Sequence, residues 1–218
     1  MARAMQDAGA ALDHLLIGAP TLDGGIAWLE ARTGVHAAIG GSHPGLGTWN
    51  ALASLGPRQY IEIIAPDPAQ PGVSTFYVPG LRDFQAPLVT TWAATGLGLA
   101  KGFPPSLPDH WSCAPARQGT RIQPDGTRLA WMLVFPKHRR HRTFDGALPF
   151  LIEWESRDHH PGKSAPPGLT LRSLRFRHPE PESLKQALAG LGIDGAVEDG
   201  VAASIRVELD TPRGTVVL

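Results

Sequence analysis

Cysteine is almost absent from this chain: Cys113 is the only one in 218 residues. An intrachain disulfide is therefore excluded, a reducing compartment is compatible, and Cys113 reads as an inert packed thiol. Charge of one sign is absent too. Twenty basic residues balance twenty acidic ones, so no net field favours nucleic acid or an anionic membrane. No apolar run is long enough to span a bilayer. The start, Met1 to Ala11, is interrupted by Asp7 and lacks the apolar core of a signal peptide. The expectation is a soluble, cytoplasmic protein. Tyrosine is scarce, with two residues against six tryptophans. Trp49, Trp92 and Trp154 each stand beside a polar motif, which suggests an aromatic-lined pocket, with core packing as the plainer reading.

The stretch from Leu12 to Asp67 orders what is present. It opens with a strand-like run, Leu12-Asp13-His14-Leu15-Leu16-Ile17. Thr21 or Asp23 then caps a helix in which Leu22, Ile26 and Leu29 recur at helical spacing, and Gly34 ends it. A Gly-rich turn follows, His43-Pro44-Gly45-Leu46-Gly47-Thr48-Trp49-Asn50. It lacks the Lys-Ser/Thr ending of a P-loop and has the wrong glycine spacing for a dinucleotide fold. The stretch closes on Tyr60-Ile61-Glu62-Ile63-Ile64. Alternate residues of a strand share a face. His14 and Glu62, each the ionisable member of its strand's cleft-facing set, therefore meet on one wall if the two strands lie side by side.

These residues resemble the βαβββ module of glyoxalase-like proteins in the vicinal-oxygen-chelate superfamily. The resemblance is carried by Leu12-Asp13-His14-Leu15, by the run from Gly40 to Asn50, and by Tyr60-Ile61-Glu62-Ile63-Ile64-Ala65-Pro66-Asp67. It continues through Thr91-Trp92, Leu151-Ile152-Glu153-Trp154 and Thr211-Pro212-Arg213-Gly214. It implies an α+β fold in which repeated βαβββ modules form a curved mixed sheet, a half-barrel, around a cleft. Three modules are expected: 12–67, a degraded second copy over 88–156, and a third over 169–218. Pro66 to Gly80 reads as a linker. In the second copy the helical step shrinks to Thr95-Gly96-Leu97-Gly98-Leu99-Ala100. In the third, Pro181 through Leu191 is an amphipathic helix with Leu184, Leu188 and Leu191 on one side. Aligning that copy with the first puts Ser173 and Val217 where His14 and Glu62 stand, so it carries no ligand and is expected to be structural.

In that superfamily the first strand typically supplies a metal-binding His and the fourth a Glu, positions matched here by His14 and Glu62. Aligning Ile152-Glu153-Trp154 with Ile61-Glu62-Ile63 adds Glu153. The expected metal ligands are thus His14, Glu62 and Glu153, with Zn, Mn, Fe and Ni not distinguished. The three would hold a divalent ion that polarises two vicinal oxygens, while Glu62 or Glu153 moves a proton. Without metal, one of two carboxylates in an apolar cleft would hold a proton, and a carboxylate there could serve as general base toward a carbon acid. His43, Asn50, Trp92 and Trp154 are the expected substrate-binding residues. The implied function is a lyase, isomerase or related enzyme acting on a small oxygenated or carbonyl compound. The alternative is a non-enzymatic protein that sequesters an aromatic or antibiotic-like molecule. The partner is a small molecule rather than nucleic acid or membrane, and an odd number of half-barrel units suggests a homodimer. The run Lys137 to Arg142 reads as a solvated hairpin loop, and His159-His160-Pro161-Gly162 as linker.

Overall fold

A computed structural model of the chain describes residues 10–75, 78, 80–99, 111–113, 115–122, 126–138, 144–156 and 158–218. The first strand, β1 (Ala11–Gly18), leads into helix α1 (Leu22–Thr33) and then β2 (Ala38–His43), β3 (Thr48–Gly56) and β4 (Gln59–Pro66). Thr21 caps α1 by accepting from the amide of Gly24, and Gly34 ends it in the left-handed conformation, φ 78°, which costs glycine little. Leu22, Ile26 and Leu29 of α1 pack with Leu15, Ile17, Ile61 and Ile63 in one buried cluster. The helix comes very close to β4: a Cβ on Gly25 would lie 2.4 Å from the side chain of Ile63.

The second section contains β5 (Leu88–Thr95), β6 (Trp111–Cys113), β7 (Arg117–Ile122), β8 (Arg128–Val134), β9 (Pro136–His138) and β10 (Phe150–Trp154). Strands β6 and β9 form a separate two-stranded ribbon, while the other strands of both sections join one eight-stranded sheet in the order β2-β3-β4-β1-β5-β10-β8-β7. The order β5-β10-β8-β7 repeats β1-β4-β3-β2, with the first and last strands parallel in each case. The helix between the first two strands of the copy is missing among the described residues, and residues 100–110 lie outside them. The basic run from Arg139 to Arg142 also lies outside the described residues.

Right-handed twist curls such a sheet upon itself. Here the two edges meet: Arg121 Nη1 on β7 donates to the carbonyl of Gly40 on β2. The sheet is thereby nearly closed into a barrel. Its outer face carries α1 and the main core. Its inner face carries Leu16, Ile64, Leu133, Phe150 and Ile152, a second buried cluster that floors the hollow.

The last section begins after a single-turn helix α2 (Pro161–Ser164) and comprises β11 (Thr170–His178), α3 (Pro181–Gly190), β12 (Ala196–Asp199), β13 (Ser204–Thr211) and β14 (Gly214–Val217). Its element order matches the first module, but its pairing does not. The sheet runs β12-β11-β13-β14, so the first strand sits inside the sheet and never touches the last. The alignment of Ser173 and Val217 with His14 and Glu62 therefore has no spatial counterpart: Ser173 pairs with Glu208 and its hydroxyl donates to that carboxylate at 3.1 Å. Leu184, Leu188, Phe176 and Leu209 pack this section onto the common core. No helix among the described residues is long and apolar enough to cross a membrane.

Candidate active site

The parallel pairing of β1 with β4 sets Tyr60 beside His14 and Glu62 beside Leu16. His14 stacks on Tyr60 at 4.6 Å between ring centroids, and its Nε2 lies 3.3 Å from Glu62 Oε2. Both residues are buried, His14 to 2% exposure and Glu62 to 7%. Glu62 Oε1 accepts a hydrogen bond from Asn50 Nδ2 at 2.6 Å. The same amide lies 3.2 Å from His43 Nε2, so that ring nitrogen accepts. His43 Nδ1 then carries the hydrogen and donates to Thr48 Oγ1 at 3.0 Å. Burial pushes the His43 pKa down, and the charges of Glu62 and Asp67 only partly restore it. His43 is therefore a neutral imidazole in this setting.

The orientation of His14 comes from its neighbour. The register of β1 against β5 slips between Leu12 and His14, and this bulge frees Asp13 from regular alternation. Asp13, 1% exposed, accepts from His14 Nδ1 at 2.8 Å, from Trp154 Nε1 at 3.0 Å and from His160 Nε2 at 3.1 Å. Burial alone would raise its pKa; the hydrogen bonds and charges of His14 and His160 outweigh burial and hold it at about 2. An ionised carboxylate only accepts, so His14 carries hydrogen on Nδ1 and turns Nε2 toward Glu62. His160 is fixed in turn: its Nδ1 accepts from the amide of Gly162 at 3.1 Å at the start of α2.

His14, His43, Asn50, Tyr60 and Glu62 line a narrow cleft, partly open to solvent, with about 50 Å³ of free space, less than a small-molecule site usually offers. Leu16, Ile64, Leu133, Phe150 and Ile152 form its apolar lining, Trp131 and Trp154 an aromatic wall, and Arg121 a cationic corner. The structure thus brings together His14, Glu62, His43, Asn50 and Trp154.

It does not bring Glu153 or Trp92 to them. Phe150, Ile152 and Trp154 turn into the cleft, whereas Glu153 pairs with Met132, which packs against the outer core. Aligning Glu153 with Glu62 was out of step by one residue, and a one-residue slip exchanges the faces of a strand. Trp92 is also on the outer side. Its Nε1 donates to the carbonyl of Ala147 at 2.9 Å and its ring stacks on Phe176, so it joins the two sheets rather than lining the pocket.

The residues missed were Asp13, Tyr60, Arg121, Trp131 and His160. Alternation along Arg128–Val134 would have given Trp131 with Leu133, and Tyr60 shares the parity of Glu62. Asp13 depends on a bulge, Arg121 on barrel closure and His160 on a turn more than a hundred residues away; none of these has a local pattern.

Displacement of Glu153 dissolves the expected three-ligand metal set. Among the described residues no group of three or more His, Cys, Asp or Glu side chains has the spacing to hold a metal ion. His14 Nε2 and His43 Nε2 lie 3.3 and 3.7 Å from Glu62, but His43 Nε2 and Glu62 Oε1 are both engaged by the Asn50 amide. A catalytic ion held by three protein ligands does not fit this arrangement.

The chain belongs to the glyoxalase-like domain family. The match spans residues 12–192, covering both sections of the eight-stranded sheet. A hypothetical protein from Staphylococcus aureus has a similar fold, with a TM-score of 0.64, 13% identity, and coverage of 88% of this chain and 87% of that one. Methylmalonyl-CoA epimerase from Mycobacterium tuberculosis is a more partial likeness, at TM-score 0.38 and 17% identity over 70% of this chain and 92% of its own. The Streptomyces coelicolor epimerase, in complex with 2-nitronate-propionyl-CoA, gives TM-score 0.38 and 14% identity over 68% and 100%. Comparison with curated proteins finds no match.

Proposed function

We propose that this glyoxalase-like chain is an enzyme that moves a proton at the carbon beside a carbonyl in a small molecule, with Glu62 as the base. The observation that carries the reading is the approach of His14 Nε2 to Glu62 Oε2, 3.3 Å in a largely apolar cleft. Asp13 keeps hydrogen on the far side of the imidazole. The two facing atoms therefore both present lone pairs, and the proton taken from the substrate is shared between them. Glu62 takes the substrate's proton on Oε2, and His14 Nε2 holds or returns it. Asn50 restrains the carboxylate through Oε1, leaving Oε2 to react. Trp131 and Trp154 pack the body of the substrate and thin the water around the reacting carbon.

A protein that only sequesters an aromatic compound would need the same walls but not the pair. The experiment that separates the two incubates the full chain in deuterium oxide with a panel of 2-oxo acids, hydroxyketones and aryl ketones. Incorporation beside the carbonyl is followed by NMR. The wild type is expected to label at least one class, and Glu62→Gln to lower its rate about 10²–10⁴-fold, the usual contribution of a positioned acid-base group. Binding without labelling, or equal labelling by both proteins, would refute the proposal.

A further inference from the structure

Arg121 shares the cleft with the proton-transfer groups and feels the charge of Glu62. It is 6% exposed and lines the same cleft as Leu133, Phe150, Ile152 and Trp131. Its hydrogen bond goes to a neutral acceptor, the Gly40 carbonyl. Among the described residues no direct ion pair to a carboxylate is formed by Arg121; Glu62 reaches it only as a longer-range charge. A guanidinium presents five N–H donors in a planar fork, and the seam between β2 and β7 uses one nitrogen. That bond needs a donor but not a charge; a glutamine would serve. Glu62 offsets this charge only in part, burial outweighing it, and a buried cation without a directly paired anion is costly, so the guanidinium has room for a further anionic partner.

We propose that Arg121 receives the anionic group of the cleft's ligand, which is a small carboxylate with an aromatic or branched apolar body. This rests on the preceding reading that the cleft is the active site. A carboxylate suits the fork geometrically, since two parallel N–H···O bonds can form. His43 does not compete for the anion, because burial keeps it neutral. Glu62 repels an anion, so the ligand lies with its carboxylate at the seam and its reacting carbon toward Glu62. Asn50 Oδ1, buried without a hydrogen-bond partner, is an acceptor left over for a donor group on the ligand. The walls of Trp131, Phe150 and Trp154 fix the apolar character of the body.

The test titrates the full chain by calorimetry with three matched pairs: benzoate and benzamide, phenylacetate and phenylacetamide, isovalerate and isovaleramide. In the pair that binds best, the wild type is expected to prefer the carboxylate at least ten-fold. Arg121→Gln, which can keep the Gly40 contact, is expected to abolish the preference, and Arg121→Lys to retain part of it. Glu62→Gln is expected to bind the carboxylate as well as or better than the wild type while losing deuterium exchange, so loss of anion binding and loss of catalysis are read separately. Wild-type protein that binds none of the carboxylates, or binds acid and amide alike, overturns the proposal, as does R121Q that keeps the preference. If R121Q does not fold, the wild-type comparison alone decides.

Discussion

Replacing Asp13 by Asn removes one negative charge and changes little in shape. In the native chain both carboxylate oxygens are occupied: Oδ1 by His14, and Oδ2 by Trp154 and His160. An amide can keep one oxygen's partners but must present N–H groups to the other. The pKa of Asp13 falls from 3.8 to about 2; the difference between these values corresponds to about 2.4 kcal/mol of preferential stabilisation of the charged form. Asp13 is almost wholly buried, so solvent screening takes little from this. Leaving a buried donor unpaired costs about 1–3 kcal/mol, and the two effects overlap. D13N is therefore expected to lose about 2–4 kcal/mol in urea unfolding at pH 7. The pH dependence has a definite sign. The folded pKa lies below the unfolded one, so the stabilisation is complete above about pH 4 and fades as pH falls toward 2. The gap between wild type and D13N should narrow across that window. A loss below about 0.5 kcal/mol, or a gap unchanged at pH 3, would show that Asp13 is not the ionised anchor of His14.

Three further outcomes follow from the geometry. A Cβ on Gly40 would lie 2.4 Å from Asn50 Oδ1, so Gly40→Ala should cost about 1–3 kcal/mol in thermal unfolding and lower ligand affinity in calorimetry by disturbing Asn50. Trp92→Phe should lose about 1 kcal/mol with its bond to Ala147 yet leave deuterium exchange within two-fold of wild type, because Trp92 lies outside the cleft. Glu153→Gln should likewise leave the exchange rate unchanged; a large loss would return Glu153 to the chemistry.

The first module was legible because its cues are local. Thr21 and Gly34 bracket a helix of regular apolar spacing, and Leu12–Ile17 and Tyr60–Ile64 are strands buried on both faces. Placing His14 against Glu62 needed only alternation and parallel pairing. The second section shows no such helix among the described residues, and without that marker the sequence does not fix the register of Phe150–Trp154, so Glu153 falls on the opposite face from the one expected. The third section kept the order of elements but paired them differently, and strand pairing is set by tertiary contacts that no periodicity records. His160 and Arg121 illustrate the same limit. Each reaches the site through chain closure over a long sequence distance, and each sits in a stretch whose composition reads as loop or edge.

The most direct measurement compares deuterium incorporation by the wild-type chain and by E62Q at matched pH, with and without a chelator. A fall of about 10²–10⁴-fold in the variant, and wild-type rates indifferent to chelator, are predicted. Equal rates in the two proteins, or wild-type activity abolished by the chelator, would contradict a cleft in which Glu62 and His14 move the proton themselves.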